Sequence, residues 1–208
     1  MDEDLDALVR RVDPDRWMSS RFVADAAARA DLITLYAFEA ELLAIPTRVT
    51  EPMLAEMRYA WWREQLDGMF AGVARTGHPV LEALTDVVTR HGLDRAPLEA
   101  LIEAHVDRIH DAPHDLDAFY VAPMQTAVQL LVGPGHEAAV VEAGRMWGLA
   151  QTGQTQAARA LRTGANRNLK TLPVAAFPAV AHATLIRPDA PEPFRRLRLV
   201  WSSLTGRL

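Results

Sequence analysis

The sequence predicts an all-α fold, and three observations carry that prediction. Apolar residues recur with helical spacing along nearly the whole chain. Runs of alternating β-branched residues, which are typical of strands, are scarce. Half of the 208 residues are apolar, so the chain can bury one sizeable core. We therefore expect a helical bundle that forms a single domain over residues 1–208.

Prolines, glycines and capping residues predict where the helices begin and end. Asp13 before Pro14 predicts a helix start, and Pro46 is expected to end a long, mostly buried helix that begins near Ala24. Gly92 is expected to stop a helix in the left-handed conformation. Further helices are expected over 53–70, 78–91, 96–109, 117–132 and 137–161. After them we expect a polar connector at 164–170 and an apolar helix at 173–186. The chain should end in a Pro-rich linker with a basic amphipathic tail over 187–208.

The absence of cysteine and the acidic start bound the class of protein. Without cysteine the chain forms no disulfide, no thiolate metal site and no thiol nucleophile. Residues 1–4 are acidic, unlike a secretory or transit signal, and no apolar run reaches the roughly 18 residues that span a bilayer. We expect a cytoplasmic protein, with a peripheral position on the inner face of a membrane as an option.

Charge is segregated along the chain. Residues 1–142 hold 25 acidic residues and 12 arginines, whereas residues 143–208 hold two acidic residues, nine arginines and one lysine. The two parts therefore carry net charges of −13 and +8. A basic last third suggests contact with an anion, such as a membrane surface, a nucleic acid, a diphosphate or an acidic partner. The alternative is that the two parts neutralise each other within the fold.

Four motifs follow one another in the first half of the chain. They are Leu35-Tyr36-Ala37-Phe38, Glu51-Pro52-Met53-Leu54, Trp61-Trp62-Arg63-Glu64 and Gly77-His78-Pro79-Val80. In this order they resemble the squalene/phytoene synthase family, and a weaker likeness continues through residues 143–149 to the end of the chain. The second and third motifs are similar to the complex I assembly factor-like subgroup. The resemblance implies a helical bundle of the isoprenoid synthase type, shortened by loss of a segment before the last helix.

The resemblance also implies where a ligand would bind. The ligand-pocket candidates lie on the two helices that carry the motifs, and they are Tyr36, Phe38, Glu41, Arg58, Trp61 and Trp62. The alternative is that the aromatic residues are core residues. In that case Arg58 and Arg63 pair with Glu51, Glu56 or Glu64.

Two Asp-rich motifs hold Mg²⁺ and the substrate diphosphate in enzymes of the family that the chain resembles. The positions that would carry the first pair are Leu43 and Ala44, and the nearby Glu39 and Glu41 lie about 200° apart around a helix. Residues 143–188, where the second motif belongs, contain no Asp or Glu. We therefore expect no catalytic residue, no metal site and no cofactor, with Mg²⁺ needed only if the chain is a transferase after all.

A weak metal candidate lies elsewhere, at Asp107 and Asp111. The two residues share a helix face. With Asp115 they are interleaved with His105, His110 and His114, and carboxylates with histidines can bind transition metals. Pro113 interrupts that helix, so a polar corner between helices is the alternative.

The tail has the pattern of an amphipathic helix. Its stripe consists of Phe194, Leu197, Trp201, Leu204 and Leu208. The candidate membrane or partner surface consists of Arg195, Arg196, Arg198, Trp201 and Arg207. Such a helix can lie on an anionic membrane surface, or it can dock its stripe on the core of its own protein.

Two functional hypotheses follow. The first is a non-catalytic assembly or accessory protein that works through a protein partner, with an anionic membrane surface as a second contact and no nucleic acid. The second is an isoprenoid (prenyl diphosphate) transferase, or a prenyl-lipid binder, with relocated metal ligands. A binder should keep a deep apolar pocket between the helices of Tyr36 and Trp61, whereas a scaffold fills that space with side chains.

Overall fold

The computed structural model describes residues 2–73, 76–186 and 190–208. These ranges contain helices and no β-strand, so the all-α prediction is confirmed. The α-helices are α1 (Asp2–Val12), α2 (Pro14–Ser20), α3 (Ala26–Arg48), α4 (Pro52–Phe70), α5 (Pro79–His91), α6 (Arg95–Ile109), α7 (Ala122–Val132), α8 (Val141–Gln151), α9 (Thr155–Asn168) and α10 (Glu192–Thr205). A π-helical turn at Asp117–Val121 leads into α7. Part of the predicted Pro-rich linker, residues 187–189, lies outside the described residues.

Helix α3 lies at the centre of the bundle. It is apolar on nearly every side, the pattern of a helix that is buried all round, and its residues from 31 to 38 are all buried. It contacts α1, α2, α4, α5, α6 and α7. Asp25 caps its start, since the Oδ1 atom accepts the N–H of Ala28 at 2.7 Å.

The prediction that Pro46 ends α3 is wrong, because the helix continues to Arg48. Proline has no N–H to donate to the carbonyl of Leu42, four residues earlier. The hydroxyl of Tyr59, a fully buried residue of α4, donates to that carbonyl at 3.1 Å instead. A side chain from the neighbouring helix thus satisfies the acceptor that proline leaves open.

The predicted helix over 137–161 is two helices and a short lead-in turn. A 3₁₀ turn at Glu137–Val140 precedes α8, and α9 begins only at Thr155. Gly153 between them has φ of 80°, and the N–H of Gln154 donates back to the carbonyl of Leu149 at 2.8 Å. This is the usual glycine stop of a helix, so α8 ends and the chain reverses.

Two further predictions for the last third are wrong. The expected polar connector at 164–170 forms the end of α9 and a 3₁₀ turn. The expected apolar helix at 173–186 is a pair of 3₁₀ turns, Val174–Ala179 and Ala181–Thr184, buried against α2, α7 and α8. Pro178 lies inside the first of these turns, and its missing N–H prevents a regular α-helix there.

We expect Tyr59→Phe to lower the free energy of unfolding by about 1–2 kcal/mol, because the buried carbonyl of Leu42 loses its donor. In a Pro46→Ala background the same change should cost less, since the alanine supplies an N–H to that carbonyl. Urea unfolding of the two single variants and the double variant measures both costs. Equal costs in the two backgrounds would show that the hydroxyl does not compensate for Pro46.

Candidate functional site

The aromatic residues predicted to line a pocket form part of the core. Tyr36, Phe38 and Trp62 are buried, and the rings of Phe38 and Trp62 meet edge to face with centroids 5.3 Å apart. Trp61 is half-buried and packs on Trp62 at 5.1 Å. The Phe38–Trp62 contact joins α3 to α4, and this packing is the arrangement expected of core aromatics.

The charged residues of the predicted pocket lie elsewhere. Glu41 pairs with Arg48 at 2.9 Å on the rim of α3, and Arg58 is exposed on α4. Arg63 pairs with Glu103 of α6 at 2.6 Å, an acid that the sequence did not suggest as its partner. Among the described residues, the three buried rings lie in the core, whereas Glu41 and Arg58 lie at the surface of their helices.

A buried ion pair that the sequence did not predict lies between α2 and α3. Arg16 of α2 pairs with Glu39 of α3, and the two side chains are only 7% and 11% exposed. The guanidinium also lies over the ring of Tyr36, 5.3 Å from its centroid. Asp13 Oδ1 accepts the N–H of Arg16 at 3.0 Å and so fixes the start of α2. Two features of the sequence could have indicated this pair: the capping pattern at Asp13, which starts α2, and an acidic residue, Glu39, inside a helix predicted to be mostly buried.

Burial governs the electrostatics of this pair. It raises the pKa of Glu39 above its ordinary value, and the guanidinium of Arg16 opposes that rise. Burial alone would lower the pKa of Arg16, but Glu39 and Asp13 outweigh it and raise the pKa. The pKa of Tyr36 is also raised, chiefly by burial. Each charge thus depends on its partner, because neither is solvated.

Several polar atoms around this pair make no hydrogen bond within the described part of the chain. They are Arg16 Nε, Tyr36 Oη, Glu39 Oε1 and both ring nitrogens of His182. His182 is buried edge-on to Trp147, with ring centroids 5.2 Å apart, and the charge of Arg16 reinforces the burial that lowers its pKa. We call Arg16, Tyr36, Glu39 and His182 the Arg16 cluster. Unpaired buried polar groups of this kind are uncommon in folded proteins.

Glycines allow close packing on two sides of α8, where the second Asp-rich motif was expected. A Cβ on Gly148 would lie 2.4 Å from the ring of Tyr120. A Cβ on Gly164 of α9 would lie 1.9 Å from a carboxylate oxygen of Glu142. The described residues from 143 to 186 include no carboxylate side chain. Gln154, which was expected on a helix here, lies in the turn between α8 and α9.

The weak metal candidates Asp107 and Asp111 are not joined by a histidine. Asp107 is exposed, and Asp111 follows the end of α6 with φ of 58°. His105 instead faces the core, where it stacks on Tyr59 at 5.4 Å. Among the side chains that the structure describes, no group of three or more His, Asp or Glu could hold a metal ion.

The predicted apolar stripe of α10 faces outward. Phe194, Leu197, Trp201 and Leu204 are 67%, 67%, 68% and 79% exposed. The alternative that this stripe docks on the protein's own core is therefore wrong. Leu208, predicted to belong to the stripe, is buried, because the chain turns at Gly206 after the helix ends.

A groove of about 1280 Å³ lies beside α10. Its other walls come from α9 and the segment 184–186, and its apolar lining includes Leu185, Ile186 and Trp201. Four arginines also line it: Arg162, Arg195, Arg198 and Arg207. We refer to this space as the α10 groove. Neither Tyr36 nor Trp61 lines it. Among the described residues, no helix has the length and apolar content that crossing a bilayer requires.

Replacing Arg16 by Met should lower the free energy of unfolding by about 3–5 kcal/mol, because Glu39 is then buried without its partner. The double variant Arg16→Met/Glu39→Leu should lose less than Arg16→Met alone, since both charges are gone. Urea unfolding measures these differences. As a control, Arg196→Met breaks an exposed pair with Glu192 and should leave stability unchanged. A double variant no more stable than Arg16→Met would contradict the prediction.

We expect acid to destabilise the protein partly through His182. Burial lowers its pKa well below the ordinary 6.5, so the native ring stays neutral while the unfolded chain takes up a proton. The stability from this residue is complete above pH 6.5 and is lost as the pH falls, by about 1.4 kcal/mol per pH unit.

His182→Leu should therefore reduce the fall in the free energy of unfolding between about pH 7 and pH 5. The reduction corresponds to one fewer proton taken up on unfolding. The remaining acid sensitivity includes that of His105, whose pKa burial lowers to about 3. Arg196→Met, an exposed change that leaves every histidine in place, provides the control. An unchanged slope in His182→Leu would mean that His182 is protonated in the native state.

Comparison with known proteins agrees with this architecture. No curated protein matches the chain. A family model described as squalene/phytoene synthase matches residues 9–199, which is most of the sequence. The match spans α2 to α9 and more than half of α10, including the motifs around Tyr36 and Trp61. The chain belongs to the squalene/phytoene synthase family.

Proposed function

We propose that this protein is a non-catalytic accessory or assembly member of its family, which acts by binding other molecules at its surface. The observation that carries the proposal is the aromatic packing between α3 and α4. Phe38, Trp61 and Trp62 pack on one another there, and Tyr36 lies against the buried Arg16–Glu39 pair. A protein that encloses a prenyl chain needs an apolar cavity at such a place.

The distribution of carboxylates supports the same proposal. Ionising an allylic diphosphate needs Mg²⁺ held by carboxylates close to the leaving group. Leu43 is exposed at the position expected for the first motif, and Glu39 and Glu41 each pair with an arginine. The sequence from 143 to 188 offers no carboxylate for a second motif. This distribution of acidic residues supports the proposal that the chain lacks both expected sites for a hard divalent cation.

Incubation of the purified chain with allylic prenyl diphosphates and Mg²⁺ tests the proposal. We expect no release of diphosphate above the level in buffer, because no carboxylate pair holds the metal. An active synthase of the family, assayed in parallel, controls for the substrate and the detection. Metal-dependent release would overturn the proposal, and its loss in Asp107→Asn/Asp111→Asn would assign the activity to those residues. A stable protein partner that copurifies with the chain from native membranes would support the accessory role.

The Arg16 cluster favours a second candidate function, a prenyl-lipid binder or an isoprenoid transferase. Its unpaired polar atoms could be satisfied by the head group of an enclosed ligand. Calorimetry with a non-hydrolysable prenyl thiodiphosphate distinguishes binding from turnover. Tyr36→Phe is the matched variant, since it removes a hydroxyl that has no partner among the described residues. Binding that Tyr36→Phe weakens, without diphosphate release, would favour the binder over the accessory protein.

A further inference from the structure

We propose that α10 and the α10 groove form a docking surface for an anionic phospholipid membrane. The inference rests on the proposed function in one respect, namely that the chain works through contacts at its surface. The docking surface is separate from the predicted interior pocket, because neither Tyr36 nor Trp61 lines the α10 groove. The occupant is the surface of a bilayer, whose phosphate groups and acyl chains match the two kinds of side chain found there.

The apolar part of this surface is one face of α10. With 3.6 residues per turn, Phe194, Leu197, Val200, Trp201 and Leu204 fall within an arc of about 120°. All five are exposed, whereas Leu199 and Ser202 on the opposite face are buried. Large apolar side chains that are contiguous and exposed mark an interaction site in a soluble protein. Trp201 in particular suits the boundary between water and hydrocarbon, because its ring is apolar and its N–H is polar.

The cationic part borders that face on both sides. By the same helical geometry, Arg196 lies beside Val200 and Arg198 lies beside Phe194. Arg207 and Arg162 line the groove. None of the described residues that line the groove has an acidic side chain. Arg162 Nε donates to the carbonyl oxygen of Leu208 at 2.7 Å. Arg196 forms an exposed pair with Glu192 that water screens. The arginine side chains therefore still give this surface an excess of positive charge. An apolar face flanked by arginines is typical of helices that lie in the interface of an anionic membrane.

The body of the protein holds α10 with this face outward. Arg195, on the inner side of the helix, pairs with Asp15 of α2. The Nε atom of Arg198 donates to Thr184 Oγ1 at 3.2 Å. Leu199 packs into the core between these two contacts. The helix is therefore already formed and oriented before it meets a membrane, which reduces the conformational entropy that binding would cost.

Charge and polarity distinguish a membrane from the other occupants. A second copy of the chain, docked face to face, would place its own Arg196, Arg198 and Arg207 against the same arginines. Such contacts between like charges are unfavourable. A nucleic acid would satisfy the arginines but would leave the apolar face of α10 in water. Phospholipid provides both the phosphate groups and the apolar layer, so it matches the whole surface.

Sedimentation with vesicles tests the inference on the full chain. We expect binding to vesicles that contain phosphatidylglycerol and at least tenfold weaker binding to phosphatidylcholine alone, at about 0.1 M salt. Leu197→Gln/Trp201→Gln should weaken binding to the anionic vesicles by about tenfold or more, because it removes apolar area from the interface. Arg207→Gln should weaken it by about fivefold, because it removes one cation near the surface.

Met53→Gln is the matched control. Met53 is 72% exposed on α4, away from the α10 groove, so its replacement should leave vesicle binding unchanged. Each of the three altered side chains on α10 or after it is exposed, and far-UV circular dichroism confirms that the variants fold. Binding that the double variant retains, or binding equal for the two kinds of vesicle, would overturn the inference. So would a concentration-dependent dimer abolished by Leu197→Gln/Trp201→Gln, which would assign the face to a second copy.

The vesicle experiment and the diphosphate-release assay can fail independently of each other. Diphosphate release with intact vesicle binding would remove the non-catalytic assignment and leave the docking surface in place. Absence of both release and vesicle binding would leave the accessory role and remove the membrane as the partner of α10.

Discussion

The burial of α3 on nearly every side is the constraint on which the rest of the structure depends. A polar group on a buried face of such a helix is removed from water, so a partner from a neighbouring helix stabilises it. Glu39 receives Arg16 from α2. The carbonyl that Pro46 leaves open receives the hydroxyl of Tyr59 from α4.

The third such contact joins α3 to α5. Both oxygens of the buried Asp31 accept hydrogen bonds from Arg90, at 2.8 and 2.7 Å, and His91 lies 2.7 Å from one of them. Helices α2, α4 and α5 are thus each positioned against α3 by a directional contact as well as by apolar packing. Directional contacts of this kind select one arrangement of helices, where apolar packing alone tolerates several.

Charge segregation along the chain becomes segregation in space at α9 and α10. Arg195 pairs with Asp15, and Arg145 pairs with Asp117 at 2.6 Å, so the basic last third is partly neutralised within the fold. Arg159 and Arg207, however, form no ion pair with any described residue. The alternative that the two parts of the chain neutralise each other within the fold therefore holds in part. Of these two arginines, Arg207 lines the groove beside the exposed apolar face of α10, and this proximity of charge and apolar surface distinguishes that face from the other exposed apolar residues.

The sequence by itself determined the helical class, the family motifs, most boundaries in the first two thirds and the outline of α10. Caps such as Asp13 and the stop at Gly92 act within a few residues, so local sequence suffices for them. It also determined the lack of acids from 143 to 188. The tertiary structure alone decided that α3 passes Pro46, that Arg16 reaches Glu39 and that the stripe of α10 faces water. The first two outcomes depend on partners that lie 17 and 23 residues apart along the chain. The third depends on how α10 docks on the rest of the protein. A local sequence pattern does not encode such contacts between distant residues.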